Sequence, residues 1–174
     1  LTPTQIARLS TLAALHDLGK SNHGFQDKRL PGAKNVAGHV QETLSLLFNP
    51  VAQSTPLHQQ LLDALAVETI ATWFESEEVL ASYLCATVSH HGRPQSEKTF
   101  QSSIWAPRND RSPLQIIKNL RLLSEKWFPL AWNEDGEKIP STPELQHAFS
   151  GLVTLADWIG SDNKRFFPFA HPLP

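Results

Sequence analysis

The sequence predicts an all-α fold, on three observations. Apolar residues recur at helical spacing through most of the chain, caps and prolines punctuate those stretches, and no segment alternates apolar with polar residues as a half-buried strand would. The elements follow in order. Ile6, Leu9, Leu12 and Ala13 keep helical phase behind Pro3, which suits a first turn. Val36, Val40, Leu44, Leu47 and Phe48 share one face of a helix expected from about Val36 to Phe48, and Asn49-Pro50 stops it. Leu57 to Phe74 is expected as the next, and Glu77 to His91 as another, with Gly92 in the left-handed closing position. Ser112-Pro113 opens a helix through about Trp127, and Thr142-Pro143-Glu144 opens the last, through about Gly160. Together these make a compact helical bundle. We expect one domain over residues 1–165 and a proline-broken tail or linker over 166–174.

Composition narrows the class. At 174 residues with 40% hydrophobic and 18% charged residues, the chain has the size of a single globular domain. Its one cysteine, Cys85, argues against a disulfide framework and for a reducing compartment, with cytoplasm as the default. No apolar run approaches the roughly 18 to 20 residues that span a bilayer, and the start lacks the pattern of a signal peptide, so no membrane role is expected. A net charge of -2 gives no overall basic footprint, so any case for nucleic acid must come from local features. The chain opens on leucine and contains no methionine, and we expect it to be trimmed at its N-terminus.

Six ionisable groups fall in or beside core phase. Leu9, Leu12, Ala13 and His16 stand at i, i+3, i+4 and i+7, with Asp17 flanking. His39 shares a face with Val36, Val40, Thr43, Leu44 and Leu47. His91 continues Leu80, Leu84 and Thr87, and His90 continues Val79, Tyr83 and Ala86. Asp157 extends the stripe Phe149, Leu152, Val153 and Ala156. Burying such groups unpaired costs several kcal/mol, and the simplest shared partner is a metal. Imidazole and carboxylate without thiolate suit manganese, iron, cobalt, nickel or zinc. Four histidines and two aspartates exceed one tetrahedral site and would serve two divalent ions bridged by one carboxylate, for which Asp17 is the natural choice. Each group alone has a plainer reading: His39 as a hydrogen-bonded core histidine, His90-His91 as cations at a helix end, Asp157 as a cap. His23, His58, His147 and His171 take the plain reading, His58 and His147 as helix surface and His171 as tail.

The segments "HDLGK", "GHVQETLSLL", "SHHG" and "LADWIGSD" together resemble the HD superfamily, and more narrowly the HD nuclease domain of the CRISPR-associated helicase-nuclease of type I systems. The resemblance implies an HD-superfamily bundle with His16, Asp17, His39, His90, His91 and Asp157 as metal ligands, Asp17 bridging, and Lys20 near the substrate phosphate. It implies a metal-dependent phosphodiesterase acting on single-stranded DNA, in which Asp17 and Lys20 serve catalysis. Its partners would be a helicase module in cis or in trans and the guide-RNA surveillance complex. The family usually supplies a further histidine upstream of the HD pair; here none precedes His16. No GxxxxGK[ST] phosphate loop occurs, so the motor is expected on a separate chain or a missing segment. Two other readings stay open: an HD phosphohydrolase of nucleotides or cyclic nucleotides, and a non-catalytic HD scaffold.

The one long connection, Gly92 to Ser112, leaves directly from His90-His91. A connection of this length is usually a functional lid or disordered. It carries Arg93, Lys98, Arg108 and Arg111 against Glu97 and Asp110, with Phe100 and Trp105 interleaved. Cations that track phosphates and rings that stack bases make Arg93, Trp105 and Arg108 candidate contacts for a single strand. The alternative is a surface loop whose Trp105 packs down locally.

Overall fold

The computed structural model describes residues 1–91, 99–162 and 165. Among these the structure is all-α, with nine α-helices, short 3-10 turns and no strand. Helix α1 (Pro3–Ala14) starts on a capping box in which Thr2 and Gln5 bond each other's backbone. The short α2 (His23–Gln26) follows, then α3 (Val40–Phe48), α4 (Pro50–Gln53), α5 (Pro56–Leu65), α6 (Val67–Ala71), α7 (Glu77–Val88), α8 (Pro113–Trp127) and α9 (Pro143–Ser161). Helices α2 and α4 span about one turn each, too short to leave a periodic trace in sequence.

Two apolar cores hold the bundle. One gathers Leu9 and Leu12 of α1, Ile70, Trp73 and Phe74, Leu80 and Tyr83 of α7, and Phe149 and Val153 of α9. The other gathers Leu15 and Leu18, Leu46 and Leu47 of α3, Leu61 and Leu65 of α5, Val88, Ile104, Trp105, and Leu114 and Ile117 of α8. Phe48 and Val67 pack against both. Leu12 therefore enters one core and Leu15 the other, so the His16-Asp17 pair lies at their seam.

Several expected elements differ, each for a packing reason. The helix expected over Leu57 to Phe74 breaks at Ala66, which adopts the left-handed conformation (φ 54°, ψ 47°). A straight helix could not feed Leu61 and Leu65 into one core and Ile70, Trp73 and Phe74 into the other. The helix expected from Val36 begins only at Val40, because the preceding segment is tied to its neighbours: Ala37 N–H donates to the Gly24 carbonyl and the Asn22 amide donates to the Gly38 carbonyl. Val36 is consequently exposed. Helix α7 ends at Val88, leaving His90 and His91 in the turn beyond it, and the expected Gly92 cap lies outside the described residues. In α9 the apolar stripe is only half buried, since Phe149 and Val153 face the core while Leu152 is 64% exposed.

The described part of the long connection, residues 99–112, is docked and not open. Ile104 and Trp105 enter the second core and Phe100 packs against it. Buried His23 bonds the Ala106 carbonyl through Nε2, at 2.9 Å. The tail 166–174 lies outside the described residues, and no helix among those described is long and apolar enough to cross a membrane.

Candidate metal centre

Four chain segments deliver the six groups to one place, and three of the four do so at helix ends. Helix α1 closes through the Leu15 and His16 amides, which donate to Leu12 and Ala13, and the following 3-10 turn Leu18–Ser21 presents His16 and Asp17. His39 is the residue before α3, and His90 and His91 follow α7. Only Asp157 comes from within a helix, about one turn before the end of α9. The expectation that His16, His39, His90 and His91 ride on helical stripes is corrected accordingly. A helix terminus lets the backbone turn, so imidazoles from different helices can aim at a common point.

The Asp17 carboxylate is central. Its Oδ2 stands 3.1 Å from His16 Nε2, and its Oδ1 stands 3.3 Å from His39 Nε2 and 3.5 Å from His90 Nε2. His16 Nε2 is also 3.6 Å from Asp157 Oδ1, and the His39 and His90 Nε2 atoms are 3.5 Å apart. His91 closes the group, its ring 5.0 Å from that of His39 and 4.6 Å from that of His90. Two overlapping sets result, His16, Asp17, His90 and Asp157 on one side and His39, His90 and His91 on the other. Within each set the ligand atoms lie within 4.8 Å of one another. Lys20 Nζ pairs with Asp17 Oδ2.

The polar accounting favours a cation at this point. His16 Nε2 and Asp17 Oδ1 are buried without a hydrogen bond, a costly state unless another partner takes them. The His16 ring is already oriented, because Nδ1 donates to the Ala13 carbonyl at 2.8 Å and leaves the Nε2 lone pair free, the arrangement that metal-ligating histidines favour. Burial, with the nearby His16 charge, pushes the His90 imidazole down to about 4, so it stays neutral at ordinary pH. Burial opposes ionisation of Asp17 too, but His16, His39 and Lys20 outweigh it and hold the carboxyl far below its usual range. For His16 the carboxylates of Asp17 and Asp157 and the Ala13 carbonyl likewise outweigh burial and raise its pKa. A dense, preformed set of imidazoles and carboxylates could hold one or two divalent ions.

Supporting residues went unnoticed in the sequence. Gly19 lets the HD turn lie against α3: a Cβ there would meet Thr43 Oγ1 at 2.1 Å and the His39 carbonyl oxygen at 2.3 Å. Fully buried Asn22 donates to the Gly19 and Gly38 carbonyls and accepts from the Phe25 amide, each at 2.8 Å. Phe25 packs its ring 5.2 Å from that of His39. A buried asparagine and a close-approach glycine have no periodic signature; their partners, which lie far along the chain, define them.

The expected strand-binding residues fare differently. Trp105 is 1% exposed in the core, so its ring cannot stack on a base; the large apolar surface packs down, and that expectation is corrected. Arg108 is exposed but bonded to Asp27 Oδ2 at 2.9 Å, beside Arg111 on Oδ1 at 3.2 Å. Arg93 lies outside the described residues. Of the other histidines, His58 is half-buried and bonded to the Leu47 carbonyl, His147 is exposed, and His171 lies outside the described residues.

Comparison with known proteins adds one finding. The family described as Cas3, HD domain, matches residues 2–166, most of the chain. No curated protein and no solved structure matches it.

Proposed function

Because the chain belongs to the family of Cas3 HD domains, whose members imply a metal-dependent nuclease of type I CRISPR systems, we propose that it hydrolyses the phosphodiester bonds of single-stranded DNA. The observation that carries the reading is the Asp17 carboxylate, with one oxygen toward His16 and the other toward His39 and His90, inside a cluster whose buried lone pairs lack hydrogen bonds. In this reading His16, Asp17, His90 and Asp157 would hold one divalent transition-metal ion, and His39 and His91, with Asp17 between the two sets, would hold a second. Bound ions supply Lewis acidity, which activates water and offsets charge developing on the phosphate.

The chain's own groups do the rest. The Ala13 carbonyl keeps the His16 proton on Nδ1. Asp17 and Asp157 bring negative charge that favours cations at the seam. Lys20, half exposed and paired with Asp17, is placed to meet a non-bridging phosphate oxygen. Arg108 sits on Asp27 at the exposed end of the docked connection, where it would contact a more distant phosphate. With a net charge of -2 the domain would depend on delivery by a helicase module, in cis or in trans, and by a guide-RNA surveillance complex in the cytoplasm.

The test is degradation of circular single-stranded DNA by protein stripped and reloaded with manganese, beside deoxynucleotides and cyclic nucleotides. We expect DNA to be cleaved, small nucleotides to be spared, and Asp17→Asn to lose at least a hundredfold in rate while its helical spectrum is retained. Turnover confined to small nucleotides, or an Asp17→Asn variant as active as wild type, would refute the reading.

A further inference from the structure

Beside the cluster the sequence runs "FQDKRLPGAK", Phe25 to Lys34, a short helix end and 3-10 turn whose basic residues no expectation used. Lys28 is exposed, and its Nζ lies 4.5 Å over the Phe25 ring. That ring in turn packs 5.2 Å from the imidazole of His39. The two contacts place the ammonium within about 10 Å of a cluster histidine. Lys28 makes no ion pair among the described residues, because the neighbouring carboxylate, Asp27, is occupied by Arg108 and Arg111. Asp27 fixes those two guanidinium groups without cancelling them, one carboxylate against two cations. A short turn, Arg108 to Arg111 with Asn109 left-handed (φ 54°), holds the pair side by side, and exposed Asp110 at its tip is the other acid nearby.

We propose that Lys28, next in sequence to the Asp27 that holds Arg108 and Arg111, forms a second phosphate subsite that receives the nucleotide next to the one held at the His/Asp cluster. The subsite deepens the hydrolytic reading above and rests on it for the identity of the first phosphate. Cations ranged along a groove edge track a strand's backbone without reading its sequence. The cation–π contact with Phe25 holds the Lys28 ammonium, so the charge is in place before the strand arrives. A substrate with a single phosphodiester would never reach Lys28, whereas an oligonucleotide would.

The experiment compares wild type with Lys28→Met, which keeps an apolar stem of similar length and removes the charge, and Lys28→Glu. Binding of fluorescent (dT)12 is measured in EDTA over a range of salt, and hydrolysis of bis(p-nitrophenyl) phosphate is measured with manganese. We expect Lys28→Met to weaken (dT)12 binding several-fold and to reduce the salt slope by about 0.7, the value of one contact to a single strand. Lys28→Glu should weaken binding further, with manganese content and small-diester hydrolysis unchanged in both. Wild-type (dT)12 affinity and salt slope in Lys28→Met overturn the subsite. Small-diester hydrolysis that falls in step with (dT)12 binding overturns it as well, since Lys28 would then act at the cluster itself. If wild type fails to hydrolyse either substrate while Lys28→Met still binds (dT)12 more weakly, the hydrolytic reading falls and the phosphate contact stands.

Discussion

Replacing Gly19 with alanine should separate the two halves of the centre. The added Cβ would stand 2.3 Å from the His39 carbonyl oxygen and 2.1 Å from Thr43 Oγ1, whereas non-bonded atoms of this kind settle at about 3.5 Å, so something must retreat by about 1 Å. Thr43 cannot rotate away freely, because its hydroxyl donates to the same His39 carbonyl at 2.6 Å. The carbonyl is backbone at the start of α3, so the retreat carries His39 with it. His39 Nε2 now stands 3.3 Å from Asp17 Oδ1, and a shift of that size takes it out of reach of anything both groups hold. Overpacking costs about 1–3 kcal/mol, less the few tenths to 1 kcal/mol that alanine returns by restricting the unfolded chain. A net loss of about 1–2 kcal/mol lowers Tm by about 2–8 °C in a domain of this size. We expect manganese affinity, by titration calorimetry on stripped protein, to fall at least tenfold while helicity stays. A Tm within about 1 °C of wild type together with unchanged manganese affinity would refute the close-approach argument.

Three further outcomes follow from other sites. Arg8→Ala should cost roughly 3–5 kcal/mol by urea denaturation, because the buried guanidinium donates to the carbonyls of Ala131, Asn133, Gly136 and Glu137 and no other group replaces it; a loss below about 1 kcal/mol would show that water satisfies that loop. Ala66→Gly should raise stability by about 1 kcal/mol, since glycine adopts the left-handed conformation without the Cβ penalty; a decrease would count against strain at the break between α5 and α6. Stability of the metal-free protein should fall as pH drops from 6.5 toward 4, where the unfolded chain takes up a proton that folded His90, pushed down to about 4, does not. His16, whose pKa is raised, adds its own dependence only above about pH 6.5, where its stabilisation is lost as pH rises, so the contribution of His90 is read from the difference between wild type and His90→Asn, at most about 3 kcal/mol. Parallel pH profiles for the two proteins would contradict the assignment.

The class of the fold was legible because its helices are bounded by chemistry that acts locally: Pro3 opens the first turn, and Ser112 with Pro113 and Thr142 with Pro143 cap, where expected. The break at Ala66 was not legible, since nothing in "DALAVE" stops a helix and only the division of labour between two cores demands it. The meeting of His16, Asp17, His39, His90, His91 and Asp157 was foreseeable from six costly groups in or near core phase, although periodicity placed four of them on helices that end just short of them. Trp105 misled for the opposite reason. In a segment with few apolar neighbours it looked too isolated for a core, while Leu15, Ile117 and other members of that core stand far away in the chain.

The seam between the two cores also orders events in time. A cluster that draws on His16, His39, His90-His91 and finally Asp157 cannot be assembled by a stretch of the chain that stops before α9, because Asp157 arrives on that helix. A nascent chain would emerge from the ribosome with five of the six cluster residues before α9 follows. Docking of α9 against α7 then completes the cluster, and a cut that removes α9 should lower manganese affinity on stripped protein.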